Sequence, residues 1–192
     1  MQNIIKTEKS FLNVYKLDEN ILMTICVAEI DDKLMVNPPL GRMYGKQCFQ
    51  NRNVGFFSND SVGYNYSNQI MYSQSLPDSL VQLLKIMNER FNADFNGILI
   101  NKYIDGNNYI SAHSDNETEL DQIGVLAISV GAVRKFRIRN IHTKEIVADV
   151  PTQTCHIIHM GGEFQNEFTH EIPVEKKVKD ARYSFTFRKH LK

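Results

Sequence analysis

A chain of 192 residues, 42% of them hydrophobic and 23% charged, is long enough to bury a sizeable core and has the size of one domain. Its 22 basic and 22 acidic residues cancel, which argues against a protein that coats nucleic acid by bulk charge; contact with a polyanion has to come from local clusters. The three cysteines, Cys26, Cys48 and Cys155, lack CxxC spacing and suggest neither a disulfide framework nor a zinc ribbon, so reduced thiols are expected.

The N-terminal MQNIIKTEKSF interleaves Lys6, Glu8 and Lys9 with apolar residues, unlike a secretory signal, so an intracellular, non-secreted protein is expected, in the nucleus or the cytoplasm. The run ILMTICVAEI at 21–30 is too short to span a bilayer and leads into Asp31 and Asp32, which predicts a buried strand and no membrane segment. The Asn-rich stretch from Asn51 to Asn68 predicts a loop. A helix is predicted after Ser75-Leu-Pro-Asp78: Ser75 and Asp78 have capping-box spacing, Pro77 suits a first turn, and Leu80, Leu83, Leu84 and Met87 recur on one helical face.

Beyond Asn96-Gly97 the pattern changes to short segments rich in Ile, Val, Phe and Tyr. Strands are predicted near 98–104, 109–114, 124–130, 133–139, 145–150, 154–160, 167–172 and 181–188. That count predicts a mainly β fold with flanking helices, a jelly roll or barrel. The expected organisation is a single domain over 1–192: an N-terminal extension at 1–60, a recognition segment and helix at 61–95, and a β core at 96–192.

His113-Ser-Asp115 aims an imidazole and a carboxylate to one side of an extended segment. A third ligand would complete the facial triad that leaves open positions on non-haem iron(II). Alone, such a pair is common in solvated loops. His170, in NEFTHEIP, is the natural third ligand, because a jelly roll brings distant strands together. Of the others, His142 falls in a polar turn, His190 near the C-terminus, and His156 and His159 flank an apolar pair, where a core histidine is expected.

In Arg182-Tyr-Ser-Phe-Thr-Phe-Arg188, period two places Arg182, Ser184, Thr186 and Arg188 on one face and three aromatic rings on the other. Two guanidiniums and two hydroxyls suit a dicarboxylate; an edge strand guarded by basic residues carries the same pattern. Asn101-Lys-Tyr103 likewise offers an amide and a phenol on one face. Lys135, Arg137 and Arg139 alternate with Phe136 and Ile138, a basic stripe that phosphates or solvent would cover.

Together these segments resemble the AlkB family of dioxygenases, in the family's order, from about Val62 to His190. ILINKYIDGNNYISAHSDNETEL is similar to its NxY…HxD region, AISVGAVRKFRIRN to the strand that follows, MGGEFQNEFTHEIP to the segment of the distal histidine, and RYSFTFR to RxxxxxR. The resemblance implies a double-stranded β-helix, Fe(II) on His113, Asp115 and His170, and 2-oxoglutarate on Asn101, Tyr103, Arg182, Thr186 and Arg188, with O2 as co-reactant. It does not say which arginine takes which carboxylate. GYNYSNQ resembles the nucleotide-recognition element, which implies Tyr64 and Tyr66 against the target base; Asn116 and Glu117 stand where the repair branch has Asp-Glu, and Asn116 departs from it. The implied activity of such a protein, acting as a monomer, is oxidative demethylation of bases such as 1-methyladenine and 3-methylcytosine, in DNA first and RNA second. The competing readings are a hydroxylase or demethylase of RNA marks or protein side chains, and a silent nucleic-acid-binding module.

Overall fold

The structure is a computed structural model; it describes residues 1–43, 46–66, 69–115 and 123–189, with the backbone alone at 41–43, 46, 64–66 and 69. The strands are β1 (Gln2–Lys6), β2 (Ser10–Lys16), β3 (Pro39–Met43), β4 (Lys46–Phe49), β5 (Asn53–Phe57), β6 (Gly63–Tyr66), β7 (Gln69–Tyr72), β8 (Gly97–Tyr103), β9 (Ile110–His113), β10 (Val125–Gly131), β11 (Lys135–Asn140), β12 (Ile146–Pro151), β13 (His156–Gly162), β14 (Phe168–Ile172) and β15 (Arg182–Arg188). The helices are α1 (Asn20–Ile30), α2 (Asp78–Phe91) and the single turn α3 (Phe164–Glu167).

Two antiparallel sheets face each other, ordered β1-β2-β13-β10-β15-β8-β5 and β12-β11-β14-β9, the jelly-roll arrangement expected for a double-stranded β-helix. All eight strands predicted beyond Gly97 form within two residues of their expected limits. The side chains on the two faces of the larger sheet go to different places. Tyr183, Phe185, Phe187, Ile98, Ile100, Leu126, Ile128 and Ile157 pack against α1 and α2, while Tyr103, Val125, Ile158 and Met160 pack with Phe136, Ile138, Phe168 and Ile172 of the smaller sheet. The molecule is therefore layered as helices, large sheet, small sheet, and the site lies between the sheets.

Two predictions fail. The run at 21–30 is α1, not a strand: Leu22, Cys26 and Ile30 recur four apart and are buried with Met23, while Ile21 and Ile25 face outward, 80% and 46% exposed. A continuous apolar run carries no period of its own, and only packing against α2 and the sheet selects the helix. The stretch 51–68 is no loop, for it contains β6 and the wholly buried β5, paired to β8 over Asn53–Phe57. Asn51, ahead of β5, donates from Nδ2 to the Asn107 carbonyl at 3.3 Å, and Asn59, between β5 and β6, accepts from the Leu76 N–H at 3.0 Å. The helix after Pro77 forms with Leu80, Leu83 and Met87 fully buried, but Pro77 is its N-cap residue and makes no side-chain cap bond, so the Ser75–Asp78 capping box is not used. The helix ends at Asn92, in the left-handed region at φ 48°, after which Asn88 closes the turn by exchanging two hydrogen bonds with the Phe95 backbone.

His159 is a core residue, as expected. It faces the helix layer, with the rings of Phe11 and Phe91 edge-on at 4.9 and 5.3 Å and its Nε2 at 2.6 Å from the Ile123 carbonyl. Burial pulls its pKa below the ordinary value, partly offset by the Ile123 bond. Below about pH 6.5 the unfolded chain takes a proton that the folded one resists, so this contribution to stability is complete above about pH 6.5 and declines as pH falls towards the lower folded pKa. Accordingly, His159→Phe, which keeps the ring packing, should flatten the fall in melting temperature between pH 7 and pH 5 measured by circular dichroism; an unchanged slope would show that His159 does not contribute to it.

Candidate iron and dicarboxylate site

Between the sheets lies a cavity lined by Asn101, Tyr103, His113, Asp115, His170, Arg182, Ser184, Thr186 and Arg188, together with Arg52 and Phe136. Among the described residues this is where His, Asp, Glu and Cys side chains gather for a metal: ligand atoms of His113, Asp115 and His170 all lie within 4.8 Å of one another. The residues implied for iron and for 2-oxoglutarate thus converge on one cavity.

The two histidines are aimed by the β-ladder. β9 and β14 pair antiparallel with His113 directly opposite His170, and between that pair and Ile110↔Ile172 two residues of β9 oppose one of β14. This bulge turns the strand next to the site. The His113 Nδ1 lies 2.8 Å from the Ser111 carbonyl, so Nδ1 carries the proton and Nε2 presents its lone pair to the cavity. The His170 ring stacks on Phe136 at 5.1 Å and 20°. Burial and the neighbouring His113 push the His170 pKa down to about 3, against a smaller upward pull from Asp115, so the imidazole is neutral and able to ligate.

Asp115 stands 3.9 Å from the His113 Nε2 and 3.7 Å from the His170 Nε2. Ligands bonded at about 2.1 Å to one ion are about 3 to 4 Å apart, so small side-chain rotations bring all three onto one cation. Burial alone would raise the Asp115 pKa, yet Arg188, whose Nη2 donates to Oδ1 at 3.1 Å, and the two imidazoles hold it well below the usual carboxylate range. Its other oxygen, Oδ2, is buried and has no hydrogen-bond partner among the described residues. A buried carboxylate whose two oxygens face one imidazole nitrogen each fits a divalent cation.

The other end of the cavity fits an anion. Arg182, 2% exposed, donates to the Ser129 hydroxyl at 2.8 Å and the Thr152 hydroxyl at 3.1 Å, and its Nη1 has no hydrogen-bond partner among the described residues. No acidic side chain among the described residues pairs with it. Burial pulls its pKa down to about 10, against a smaller upward pull from Tyr103. The guanidinium lies over the Tyr103 ring at 5.2 Å, and Arg134 flanks the same ring at 5.8 Å.

Arg134, 1% exposed, is a structural staple. It bonds Glu175 and the carbonyls of Asp105, Asn108 and Pro173 at 2.7 to 3.2 Å, and so ties together the loops that close this end. Gly106 lets those loops meet, since a Cβ there would lie 1.9 Å from the Glu175 carbonyl oxygen.

Sequence reasoning missed Arg52, which is 5% exposed and donates from Nε to the Asn101 Oδ1 at 2.6 Å. The available signal was that it is the only charged residue between Lys46 and Asp60, just before a buried apolar run. The basic stripe is corrected. Arg137 makes two bonds to Asp149, at 2.7 and 2.8 Å, and Arg139 pairs with Glu171 at 3.0 Å, so these charges are balanced by partners on adjacent strands rather than displayed to a polyanion. Tyr64 and Tyr66 fall on β6, opposite Met71 and Gln69 of β7, while Asn116 and Glu117 lie outside the described residues.

A His-Asp-His cluster between the sheets of a jelly roll, with a buried arginine beyond it, fits the iron oxygenase class. The sequence profile of the 2OG-Fe(II) oxygenase superfamily matches residues 30–188, and the chain belongs to that superfamily. Its similarity there is to AlkB-type proteins. It is 36% identical over 106 residues to the DNA oxidative demethylase ALKBH2 of Bos taurus, covering 50% of this chain and 38% of that protein. It is 34% identical over 105 residues to ALKBH2 of Homo sapiens, covering 50% and 40%, and 28% identical over 118 residues to the alpha-ketoglutarate-dependent dioxygenase alkB homolog 3 of Bos taurus, covering 57% and 41%. The matches thus span less than half the length of these relatives. The solved structure of OsALKBH1 shares the fold, with a TM-score of 0.61, 13% identity and coverage of 93% of this chain and 97% of that one. Among the described residues no helix is long and apolar enough to cross a membrane.

Proposed function

We propose that this protein oxidatively removes alkyl groups from nucleic-acid bases, with 1-methyladenine and 3-methylcytosine in DNA as the first substrates to test, acting inside the cell as a monomer. The observation that carries the cosubstrate half is the fully buried Arg182, with no carboxylate partner among the described residues, at the far end of a cavity whose near end is the ligand triad. A buried cation of this kind calls for an anion. Arg188 is already bonded to Asp115, so Arg182 takes the distal carboxylate of 2-oxoglutarate and Arg188 serves the metal end. Asn101, Tyr103 and Thr186 orient the cosubstrate from the cavity wall. His113, Asp115 and His170 hold Fe(II), which with 2-oxoglutarate and O2 supplies the oxidation of an N-alkyl carbon, giving succinate, CO2 and, from a methyl group, formaldehyde.

The nucleic-acid half rests on the similarity to the ALKBH2 and alkB homolog 3 proteins and on the tyrosine pair before α2. A base reaches such a cavity only when unstacked from its helix. Tyr66 then stacks on the base, with His113 on its other side; stacking is worth about 1–3 kcal/mol per base. The test is formaldehyde release from oligonucleotides carrying 1-methyladenine or 3-methylcytosine, as DNA and as RNA, beside methylated peptides. Methylated DNA should be the best substrate, and Tyr66→Ala should lose most of that repair while keeping slow substrate-independent 2-oxoglutarate decarboxylation. Turnover confined to the peptides would overturn the nucleic-acid reading and leave the iron site standing.

A further inference from the structure

Of the three candidate iron ligands, Asp115 alone lies outside the β-ladder. β9 ends at His113, which the ladder sets opposite His170, whereas Asp115 follows two residues later with no strand partner. A carboxylate that must meet two fixed imidazoles needs its backbone fixed by other means. One bond does this directly: the Asp115 N–H donates to the Gln165 Oε1 at 2.9 Å, and both residues are buried. Gln165 is 8% exposed and sits on α3, just before β14, so the short stretch from Gln165 to His170 carries one ligand and also grips the backbone of another.

The amide is held from its other side as well. Gln165 Nε2 faces the Met160 Sδ at 3.9 Å, which leaves Oε1 as the atom turned to Asp115; an amide nitrogen there could not accept the N–H. A second strap, from the Ser114 hydroxyl to the Phe168 carbonyl at 3.1 Å, joins the same two segments.

We infer that Gln165 is a positioning residue of the iron site, acting through the backbone of Asp115 to set where its carboxylate stands relative to His113 and His170. The inference rests on the iron reading above, and it concerns metal affinity rather than the substrate. Partners that orient metal ligands from outside typically change affinity about 10- to 100-fold when removed. Gln165→Met keeps the length and bulk of the side chain and loses the acceptor; Gln165→Glu keeps a carboxyl oxygen at the same reach.

The experiment titrates the metal-free protein and both variants with Mn(II), following free Mn(II) by electron paramagnetic resonance, and records metal-free melting temperatures beside them. Gln165→Met should weaken Mn(II) binding by about 10- to 100-fold and Gln165→Glu should restore most of it. A merely structural role would lower the melting temperature and leave the affinity of the folded protein where it was. Wild-type affinity in folded Gln165→Met, or equal losses in both variants, overturns the inference. Should Gln165→Met fail to fold, amide hydrogen exchange in the wild-type protein decides instead: Asp115 N–H should exchange slowly, and exchange at the rate of an unstructured amide overturns the clamp. A wild-type protein that binds no Mn(II) would sink the iron reading and the clamp with it. Wild-type binding with no response to Gln165→Met would sink only the clamp.

Discussion

Turnover should fall below detection in Asp115→Asn, His113→Ala and His170→Ala, each of which should still fold. Asp115→Asn is the cleanest of the three. It preserves the shape of the side chain and an oxygen for the Arg188 Nη2, 3.1 Å away, but removes the negative charge that makes the site attractive to a divalent cation. The wild-type carboxyl stays ionised far into acid because Arg188 and the two imidazoles outweigh its burial, so the site presents an anion at every working pH. The histidine variants remove a neutral donor and leave the charge, so metal affinity should fall less in them than in Asp115→Asn. Iron-dependent turnover within tenfold of wild type in folded Asp115→Asn would overturn the triad.

The two arginines of β15 should separate the cosubstrate from the metal. Losing one partner of a buried, hydrogen-bonded charge pair costs about 2–5 kcal/mol, and each 1.4 kcal/mol is tenfold, so Arg182→Met should raise the apparent KM for 2-oxoglutarate by at least about thirtyfold. Its iron requirement should barely move, because Arg182 bonds Ser129 and Thr152 and, among the described residues, no member of the triad. Arg188→Met should raise both requirements, because Arg188 bonds a ligand as well as lining the cavity. 2-Oxoglutarate should raise the melting temperature of the wild-type protein, and at the same concentration that rise should be largely lost in Arg182→Met. Unchanged KM for 2-oxoglutarate in Arg182→Met would make that guanidinium a structural group and remove the anion site from the proposal.

What could be read from the sequence was whatever repeats over a few residues. In RYSFTFR the period of two separates Tyr183, Phe185 and Phe187, packed against the helices, from Arg182, Ser184, Thr186 and Arg188, which line the cavity, and no knowledge of the neighbours is needed to see it. The strands beyond Gly97 and the helix after Pro77 were legible for the same reason, whereas His170 was legible as a partner of His113 only through the expected jelly roll and the family resemblance. Tertiary structure decided whatever depends on which segments become neighbours. The run at 21–30 has no period to choose helix over strand, and it became α1 because a sheet face and α2 were there to bury Leu22, Cys26 and Ile30. Lys135, Arg137 and Arg139 looked like one basic stripe because a sequence shows a charge without its partner, and the order β12-β11-β14 then set Asp149 and Glu171 on either side of Arg137. Arg52 and Gln165 carry no local signature for their bonds to Asn101 and Asp115, since each bond joins residues about 50 positions apart and exists only where the fold closes on the site.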